Sequence, residues 1–316
     1  MVWRFQHSLK RSEEDSMSQG TALRTVGFIG LGTMGREMAL NLLKVGIAVR
    51  VFDVRHEAVD ELAALGAHAA SSVADAARGA DAAITMLPNT PDVEAVVLGE
   101  AGLLAHPPAG RLIIDMSTIA PAAERRMHAQ SAAQGIEYVD APVSGGPIGA
   151  RNATLTIMAG GTAQGFEMAR PFFKAMGATV THVGASGAGQ TVKLCNQLIC
   201  GINIQAICEA LALGRASGVD LKQLREVLLG GSAASWMMDK LAPAMIDGDA
   251  SAGFRIDLML KDLRLVQEQS HTLNVPLPAS ALVTNQYLDA VAHGEARNGN
   301  HALFRVYDRM TAQSAN

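Results

Sequence analysis

The sequence predicts a doubly wound α/β domain with a mostly parallel sheet, and an all-α domain that a long helix joins to it. The 316 residues are enough for about two domains with a core in each. Short apolar, β-branched runs alternate with helical stretches up to residue 183, which indicates a parallel sheet covered on both faces. No convincing strand follows residue 187, so the remainder is predicted to be helical.

The alternation predicts the α/β domain element by element. Strands are expected at Thr25–Gly30, Ala48–Asp53, Asp81–Leu87, Arg111–Asp115, Glu137–Asp140, Thr154–Ala159 and Thr179–Val183. Helices are expected from the end of the first strand to Val45, and at His56–Leu65, Val73–Arg78, Pro91–Leu98, Pro121–Gln134 and Ala163–Met176. Strands and helices then alternate up to the strand at Glu137–Asp140, the order that a doubly wound sheet requires.

The all-α domain is predicted to begin after a boundary near residue 186. We therefore divide the chain into an α/β domain of residues 25–186 and a helical domain of residues 187–316. Gly189–Ser217 is predicted to form a single helix of roughly 40 Å, long enough to cross between the domains. Later helices are expected to break at Gly218, Gly230–Gly231, Pro243, Gly248–Gly253 and Pro276–Pro278. Residues 1–24 are polar and carry both charge signs, so we expect a flexible tail.

Composition disfavours several classes of function. A net charge of −4 and only 8 Phe, 3 Tyr and 2 Trp argue against a nucleic-acid surface. No uninterrupted apolar run approaches the roughly 20 residues of a membrane span. The three cysteines form no CxxC pair, which favours the reducing cytoplasm. The nine histidines are scattered without ligand spacing, so no metal site is predicted.

The first chemical signal is the glycine-rich segment VGFIGLGTMGREM, which follows a strand and opens a helix. Gly30 permits the tight turn, Gly32 lets the backbone approach a pyrophosphate, and Gly35 allows the helix to pack on the strand. The helix N-terminus, with Thr33 and Met34 in its first turn, offers unpaired N–H groups to phosphates. This is the fingerprint of a Rossmann dinucleotide-binding domain; a tight turn without a ligand is the alternative.

The second strand ends at Asp53, where a carboxylate can accept hydrogen bonds from the ribose hydroxyls. Because the carboxylate would repel a 2′-phosphate, NAD is favoured over NADP. Arg55, two residues further on, leaves NADP as an alternative.

Three further segments follow strands at the carboxyl edge of the sheet, where cofactors and substrates bind. They are TMLPNTPDV (Thr85–Val93), IDMSTIAP (Ile114–Pro121) and DAPVSGGPIGA (Asp140–Ala150). In the third, the N–H groups of Ser144-Gly145-Gly146 could cradle a carboxylate.

The long helix carries the fourth segment, GAGQTVKLCNQ. Lys193, Asn196 and Gln197 have i, i+3 and i+4 spacing and so share one helix face. A lysine and two amides on a mostly apolar face are costly unless a ligand satisfies them. From the residues alone, a solvated surface lysine remains the alternative for Lys193.

Taken in order, FIGLGTMG, MLPNTPDV, IDMSTIAP, DAPVSGG, GAGQTVKLCNQ and GFRIDLMLKDL resemble the β-hydroxyacid dehydrogenase family, from Thr25 to about Met310. The resemblance implies an active site between the two domains, with Lys193 as the catalytic proton donor. It implies substrate contacts from Ser144, Gly145, Gly146 and Asn196, with Gln197 beside them. It implies that the cofactor is lined by Leu87, Pro88, Asp92, Ser117 and Thr118, and that Lys261 closes over it.

Within that family, the segments resemble the branch that reduces 2-hydroxy-3-oxopropionate (tartronate semialdehyde) to D-glycerate. The branch that acts on 3-hydroxyisobutyrate is the alternative. It fits less well, because its members more often carry a second Asn at the position of Gln197. A dinucleotide-binding scaffold without activity is an alternative of another class. Apolar faces at Ile256–Val266 and Leu277–Val291 predict a homodimer or homotetramer.

Overall fold

The computed structural model describes residues 24–311, so residues 1–23 of the predicted tail lie outside it. Its first half alternates strands and helices as the sequence predicts. The strands are β1 Thr25–Ile29, β2 Ala48–Phe52, β3 His68–Ala69, β4 Ala82–Thr85, β5 Leu112–Asp115, β6 Glu137–Asp140, β7 Val143–Ser144, β8 Leu155–Gly160 and β9 Gly177–Gly184. The helices are α1 Thr33–Lys44, α2 His56–Ala64, α3 Val73–Ala77, α4 Thr90–Leu98, α5 Pro121–Ala132, α6 Gly146–Arg151 and α7 Ala163–Met176.

These strands form one sheet in the order β3-β2-β1-β4-β5-β6-β8-β7, with β9 beside β8. Strands β1 to β6 pair in parallel, whereas β8 runs antiparallel to β6 and β7. Every residue of β4 and β5 is buried, as expected for strands covered on both faces. The order reverses at β1, so the ends of β1 and β4 flank the crevice where doubly wound sheets bind ligands.

The second half is helical, as predicted. Its helices are α8 Ala188–Ala216, α9 Leu221–Leu229, α10 Trp236–Asp247, α11 Ile256–Leu273, α12 Pro278–Ala292 and α13 Phe304–Thr311, with a 3₁₀ turn at Asn300–Leu303. Helix α8 is a single helix of 29 residues. It packs against β8 of the sheet and against α10 to α13, and so it connects the two halves.

Within residues 24–311, α8 alone has the length and composition of a membrane span. Polar side chains interrupt its apolar face, and 44% of its most apolar window is buried within the protein. In this fold α8 is the central helix of the second half.

The predicted break at Pro243 is wrong, because α10 continues through it to Asp247. A proline inside a helix leaves the carbonyl four residues earlier without its N–H donor. Here that carbonyl belongs to Asp239, and the guanidinium of Arg225 donates to it at 2.8 Å. A donor from the neighbouring helix therefore replaces the lost bond.

Three short elements were not predicted, namely β3, β7 and α6. Strands of two residues are too short to show an alternating pattern. Helix α6 follows Gly145, whose φ of 132° is accessible to glycine, so the segment looks like a loop in sequence.

Candidate active site

The turn between β1 and α1 is packed too tightly for side chains at two of its glycines. Gly30 has a φ of 97°, and a Cβ there would lie 2.4 Å from the carbonyl oxygen of Met86. A Cβ on Gly35 would lie 2.0 Å from the carbonyl oxygen of Gly30. These glycines bring α1 directly onto the sheet, as the fingerprint predicts.

The start of α1 offers room and free hydrogen-bond donors for a phosphate. Helix α1 begins at Thr33, followed by Met34, and no side chain caps it. A Cβ on Gly32 would meet no atom within 4 Å, so the space in front of the helix is open. Uncapped N–H groups and the helix dipole favour an anion at this position. The turn therefore fits the pyrophosphate of a dinucleotide.

Asp53 follows β2 and is only 8% exposed. Its Oδ2 accepts a hydrogen bond from the Leu31 amide at 2.7 Å, and its Oδ1 accepts from the amide and Nε of Arg55 at 2.9 and 3.1 Å. Burial alone would raise the pKa of Asp53, but the Arg55 side chain and the two amides lower it. Asp53 is therefore an ionised acceptor, beside a guanidinium that is 58% exposed.

The loops after β4 and β5 lie next to this turn. Leu87 and Thr118 are partly buried, while Pro88 and Asp92 are exposed near the start of α4. Ser117 is fully buried, and its hydroxyl donates to Asp115 and accepts from the Leu87 amide. The side chain of Ser117 therefore braces the two loops and has no surface for a cofactor.

Lys193 lies in the second turn of α8 and is 7% exposed. Its Nζ donates to Oε1 of Gln197 at 3.0 Å, a neutral partner. Burial lowers the pKa of Lys193, the nearby Asp262 carboxylate raises it, and the Lys261 ammonium lowers it again. The net pKa is below that of a free lysine, so the group can exchange a proton more readily. The structure therefore does not agree with a solvated surface lysine.

Gln197 connects Lys193 to a carboxylate that the sequence analysis missed. Its Nε2 donates to Oδ2 of Asp262 at 2.6 Å, and Asp262 is 2% exposed. The adjacent Lys261 has its Nζ 2.8 Å from Oδ1 of Asp262. In sequence, Asp262 looks like a solvated helix charge, and only its position next to Lys261 in the KDL segment could have drawn attention to it.

Lys261 also reaches across to the first half of the protein. Its Nζ donates to the carbonyl oxygen of Thr118 at 2.5 Å. This bond places α11 over the loop at the carboxyl end of β5, beside the dinucleotide turn. The prediction that Lys261 closes over the cofactor is compatible with this position.

The predicted substrate contacts lie on the other side of Lys193. Asn196 donates to Oε1 of Gln197 at 2.8 Å, and the hydroxyl of Ser144 lies 3.4 Å from Oδ1 of Asn196. Gly145 and Gly146 follow β7 with φ values of 132° and 60°. The structure thus brings the loop at 144–146, the lysine and the loop at 118 around one junction of the two halves.

A buried lysine held by an amide, next to an open dinucleotide turn, suits proton transfer coupled to hydride transfer. The fold and this junction define a nicotinamide-dependent dehydrogenase. Comparisons with known proteins show the family to which this dehydrogenase belongs. A model described as the NAD-binding domain of 6-phosphogluconate dehydrogenase matches residues 25–184, and one for NADP-dependent 3-hydroxyisobutyrate dehydrogenase matches residues 187–307.

Individual relatives match over nearly the whole chain. An NAD-dependent L-serine dehydrogenase of Pseudomonas aeruginosa is 41% identical over 92% of this chain and 100% of its own length. The 2-hydroxy-3-oxopropionate reductase of Escherichia coli is 38% identical, over 90% of this chain and 97% of its own. The solved structure of 3-hydroxyisobutyrate dehydrogenase from Mycobacterium tuberculosis with L-serine superposes with a TM-score of 0.82, at 33% identity, over 92% of this chain and 100% of that one.

The chain belongs to the β-hydroxyacid dehydrogenase family and is an oxidoreductase that acts on hydroxyl groups with a nicotinamide cofactor. The expected family and fold class are confirmed. The alternative of an inactive scaffold is set aside.

Proposed function

We propose that this enzyme reduces 2-hydroxy-3-oxopropionate to D-glycerate, with Lys193 as the proton donor. The observation that carries the proposal is the buried Lys193, held by the neutral Gln197 and flanked by Ser144 and Asn196. The names of the two curated relatives above give L-serine and 2-hydroxy-3-oxopropionate, and the solved structure contains L-serine. Both compounds are small carboxylic acids with a polar group at C2. This supports a substrate of the form HOCH₂–CHR–COO⁻ and its aldehyde.

The reaction follows from the groups at the junction. The bound nicotinamide supplies the hydride that reduces the aldehyde carbon. The ammonium of Lys193 hydrogen-bonds the aldehyde oxygen and gives it a proton as the C=O bond becomes C–OH, which leaves Lys193 neutral. The amides at 144–146 and the side chain of Asn196 bind the substrate carboxylate and fix its orientation. Lys193 recovers its proton from water before the next turnover.

The polarity of the substrate side distinguishes among the family's substrates. Lys193 bonds the amide of Gln197, which also accepts from Asn196, and Asn196 in turn bonds the hydroxyl of Ser144. A hydroxyl at C2 can exchange hydrogen bonds with such polar groups and a methyl cannot, so the hydroxyl is favoured. This feature supports 2-hydroxy-3-oxopropionate over the alternative, the semialdehyde of the 3-hydroxyisobutyrate branch.

A comparison of kcat/KM tests the substrate. The panel is 2-hydroxy-3-oxopropionate, methylmalonate semialdehyde and succinic semialdehyde, with L-serine in the oxidative direction. We expect kcat/KM for 2-hydroxy-3-oxopropionate to exceed that for methylmalonate semialdehyde by about tenfold or more, the effect of one lost hydrogen bond in the site. A higher kcat/KM for methylmalonate semialdehyde or for L-serine would reject this substrate and leave the family unchanged.

For the cofactor we propose a preference for NAD. The support is Asp53, an ionised acceptor at the end of β2 that would repel a 2′-phosphate. The exposed Arg55 is the feature that opposes it, because a guanidinium can bind that phosphate. We expect kcat/KM to be higher with NADH than with NADPH, and Asp53→Ser to reduce the ratio of the two. A wild-type enzyme that prefers NADPH would contradict the assignment.

A homo-oligomer remains our proposal, and it rests on the expected Leu277–Val291 face, where Leu282 and Leu288 are 54% and 39% exposed, together with a further surface on α8. The apolar side chains of Ile256–Val266 are covered within the chain, against α8 and α12. The uncovered ones include Ile199 and Leu213 on α8, which are 62% and 71% exposed. Size-exclusion chromatography with light scattering should show a multiple of 33.1 kDa, and a monomer would refute the proposal.

A further inference from the structure

A cluster of buried acids lies behind the site and takes no part in the chemistry described above. Asp115 ends β5, Glu124 lies in α5, Asp140 ends β6, and all three are fully buried. Asp140 accepts hydrogen bonds from the backbone amides of Gly187 and Gln190, so it holds the start of α8. Asp115 and Glu124 bind no basic side chain within residues 24–311, which leaves two buried carboxyl groups to explain.

Glu124 is bound from two sides. Its Oε2 accepts from the hydroxyl of Tyr138 at 2.7 Å, and its Oε1 accepts from Nε2 of Gln190 at 2.6 Å. The same Nε2 donates to the carbonyl oxygen of Ser117 at 2.9 Å, while Oε1 of Gln190 accepts from the Ile119 amide at 3.2 Å. Gln190 therefore joins the side chain of Glu124 directly to the backbone on both sides of Thr118.

Asp115 is bound on one oxygen alone. Its Oδ1 accepts from the hydroxyls of Thr85 and Ser117, each at 2.6 Å. Its Oδ2 is buried and receives no hydrogen bond from the described donors. The carboxyl group of Glu124 is an interacting neighbour of the Asp115 carboxyl group. Two ionised carboxylates this close in a dry interior are strongly unfavourable, whereas one shared proton satisfies the free oxygen.

The titratable groups with the largest effect on Glu124 are acidic. They are Asp115 on β5 and both Tyr138 and Asp140 on β6, while α8 contributes the neutral Gln190. Burial and the neighbouring carboxylates Asp115 and Asp140 raise the pKa of Glu124 well above its ordinary value. The surroundings therefore favour the neutral form of Glu124.

We propose that Glu124 and Asp115 share one proton and that Glu124 is a positioning residue, which fixes the cofactor loop at 117–119 against the catalytic helix. Gln190 lies three residues before Lys193, one turn of α8, so a shift of this bond moves the lysine and the loop relative to each other. The role rests on the assignment of Lys193 and Thr118 under the proposed function. It does not depend on which hydroxy acid is the substrate.

The test compares Glu124→Gln with Glu124→Leu. A carboxamide can donate to Asp115 and accept from Gln190, as the protonated acid does, so Glu124→Gln should keep wild-type kcat and the wild-type Kd for NADH. Leucine leaves Oδ2 of Asp115 and the hydroxyl of Tyr138 without a hydrogen-bonding carboxyl group and removes one of the bonds that hold Gln190, so Glu124→Leu should lose about tenfold or more in kcat and bind NADH more weakly. Val97→Ala, in α4 of the same core, is the control for a loss of stability, because the apolar side chain of Val97 makes no hydrogen bond in this network.

Two results would overturn the proposal. If Glu124→Leu has the same kinetic constants as Val97→Ala, the role of Glu124 is purely structural. If Glu124→Gln is as impaired as Glu124→Leu, an ionised carboxylate is required. Infrared spectra of the free enzyme at pH 8 provide an independent test that needs neither substrate nor the leucine variant. Wild type should show the C=O stretch of a protonated carboxyl group that Glu124→Gln lacks, and no such difference would reject the shared proton.

Failure of the proposed function would appear differently. If the substrate assignment fails, the NADH affinity and the infrared difference are unchanged, because neither measurement contains substrate.

Discussion

Replacing Asp262 with Asn should change the pH at which the enzyme works. Lys193 Nζ is 3.0 Å from Gln197 Oε1, and Gln197 Nε2 is 2.6 Å from Asp262 Oδ2. The ammonium and the carboxylate are therefore within about 8 Å, where two unit charges interact by about 2 kcal/mol at an effective dielectric constant of 20. Lys261, 2.8 Å from the other oxygen, offsets part of this. We expect about one pH unit for the change in the Lys193 pKa.

The sign follows from the charge that is removed. The Asp262 carboxylate stabilises the ammonium and so raises the pKa of Lys193, and Asp262→Asn lowers it. In the oxidative direction the neutral amine accepts the proton, so kcat/KM for the hydroxy acid rises with pH through the Lys193 pKa. The midpoint of that rise should move to lower pH in Asp262→Asn, whose amide oxygen still accepts from Gln197.

The assay is a pH profile of kcat/KM at saturating NAD⁺, for wild type and for two variants. Asp257→Asn is the matched control, since Asp257 lies in the first turn of the same helix and pairs with Arg255 at the surface. It should leave the midpoint in place. A midpoint that stays fixed in Asp262→Asn, or that moves to higher pH, would refute the account of how Lys193 is tuned.

Three further predictions concern stability and cofactor binding. Burial raises the pKa of Asp140 to about 6, so its ionisation costs the folded state about 3 kcal/mol as pH rises from about 4 to 6. The free energy of unfolding of Asp140→Asn, measured in urea, should therefore rise by that amount relative to wild type across this pH range. Arg225→Ala leaves the Asp239 carbonyl without a donor and should lose about 1–3 kcal/mol in the same assay, whereas no loss would show that water replaces it. Gly35→Ala puts a methyl group against the Gly30 carbonyl and should abolish NADH binding or folding, and wild-type affinity would contradict the tight turn.

The parts of the fold that depend on local pattern were predictable from the sequence. The strand, turn and helix around Gly30–Gly35 are contiguous, so their spacing alone indicates the dinucleotide turn. Lys193, Asn196 and Gln197 share a helix face by spacing, and the structure places them together. The roles of these residues remain predictions until they are measured.

The rest depends on which segments meet in space. Asp262 contacts Gln197 across 65 residues, and Glu124 contacts Gln190 across 66, so neither partner is visible in a local pattern. An acid in a polar helix is usually solvated, which is why both were passed over. The helix break predicted at Pro243 was wrong for a similar reason, since the donor that replaces the lost hydrogen bond of α10 comes from another helix.

The central claim is that Lys193 donates the proton that accompanies hydride transfer. The most direct measurement is kcat for 2-hydroxy-3-oxopropionate reduction by Lys193→Ala, together with the Kd for NADH from its fluorescence. We expect a loss of kcat of about 10²-fold or more, with the NADH affinity nearly unchanged. A variant that keeps more than about a tenth of wild-type kcat would contradict it.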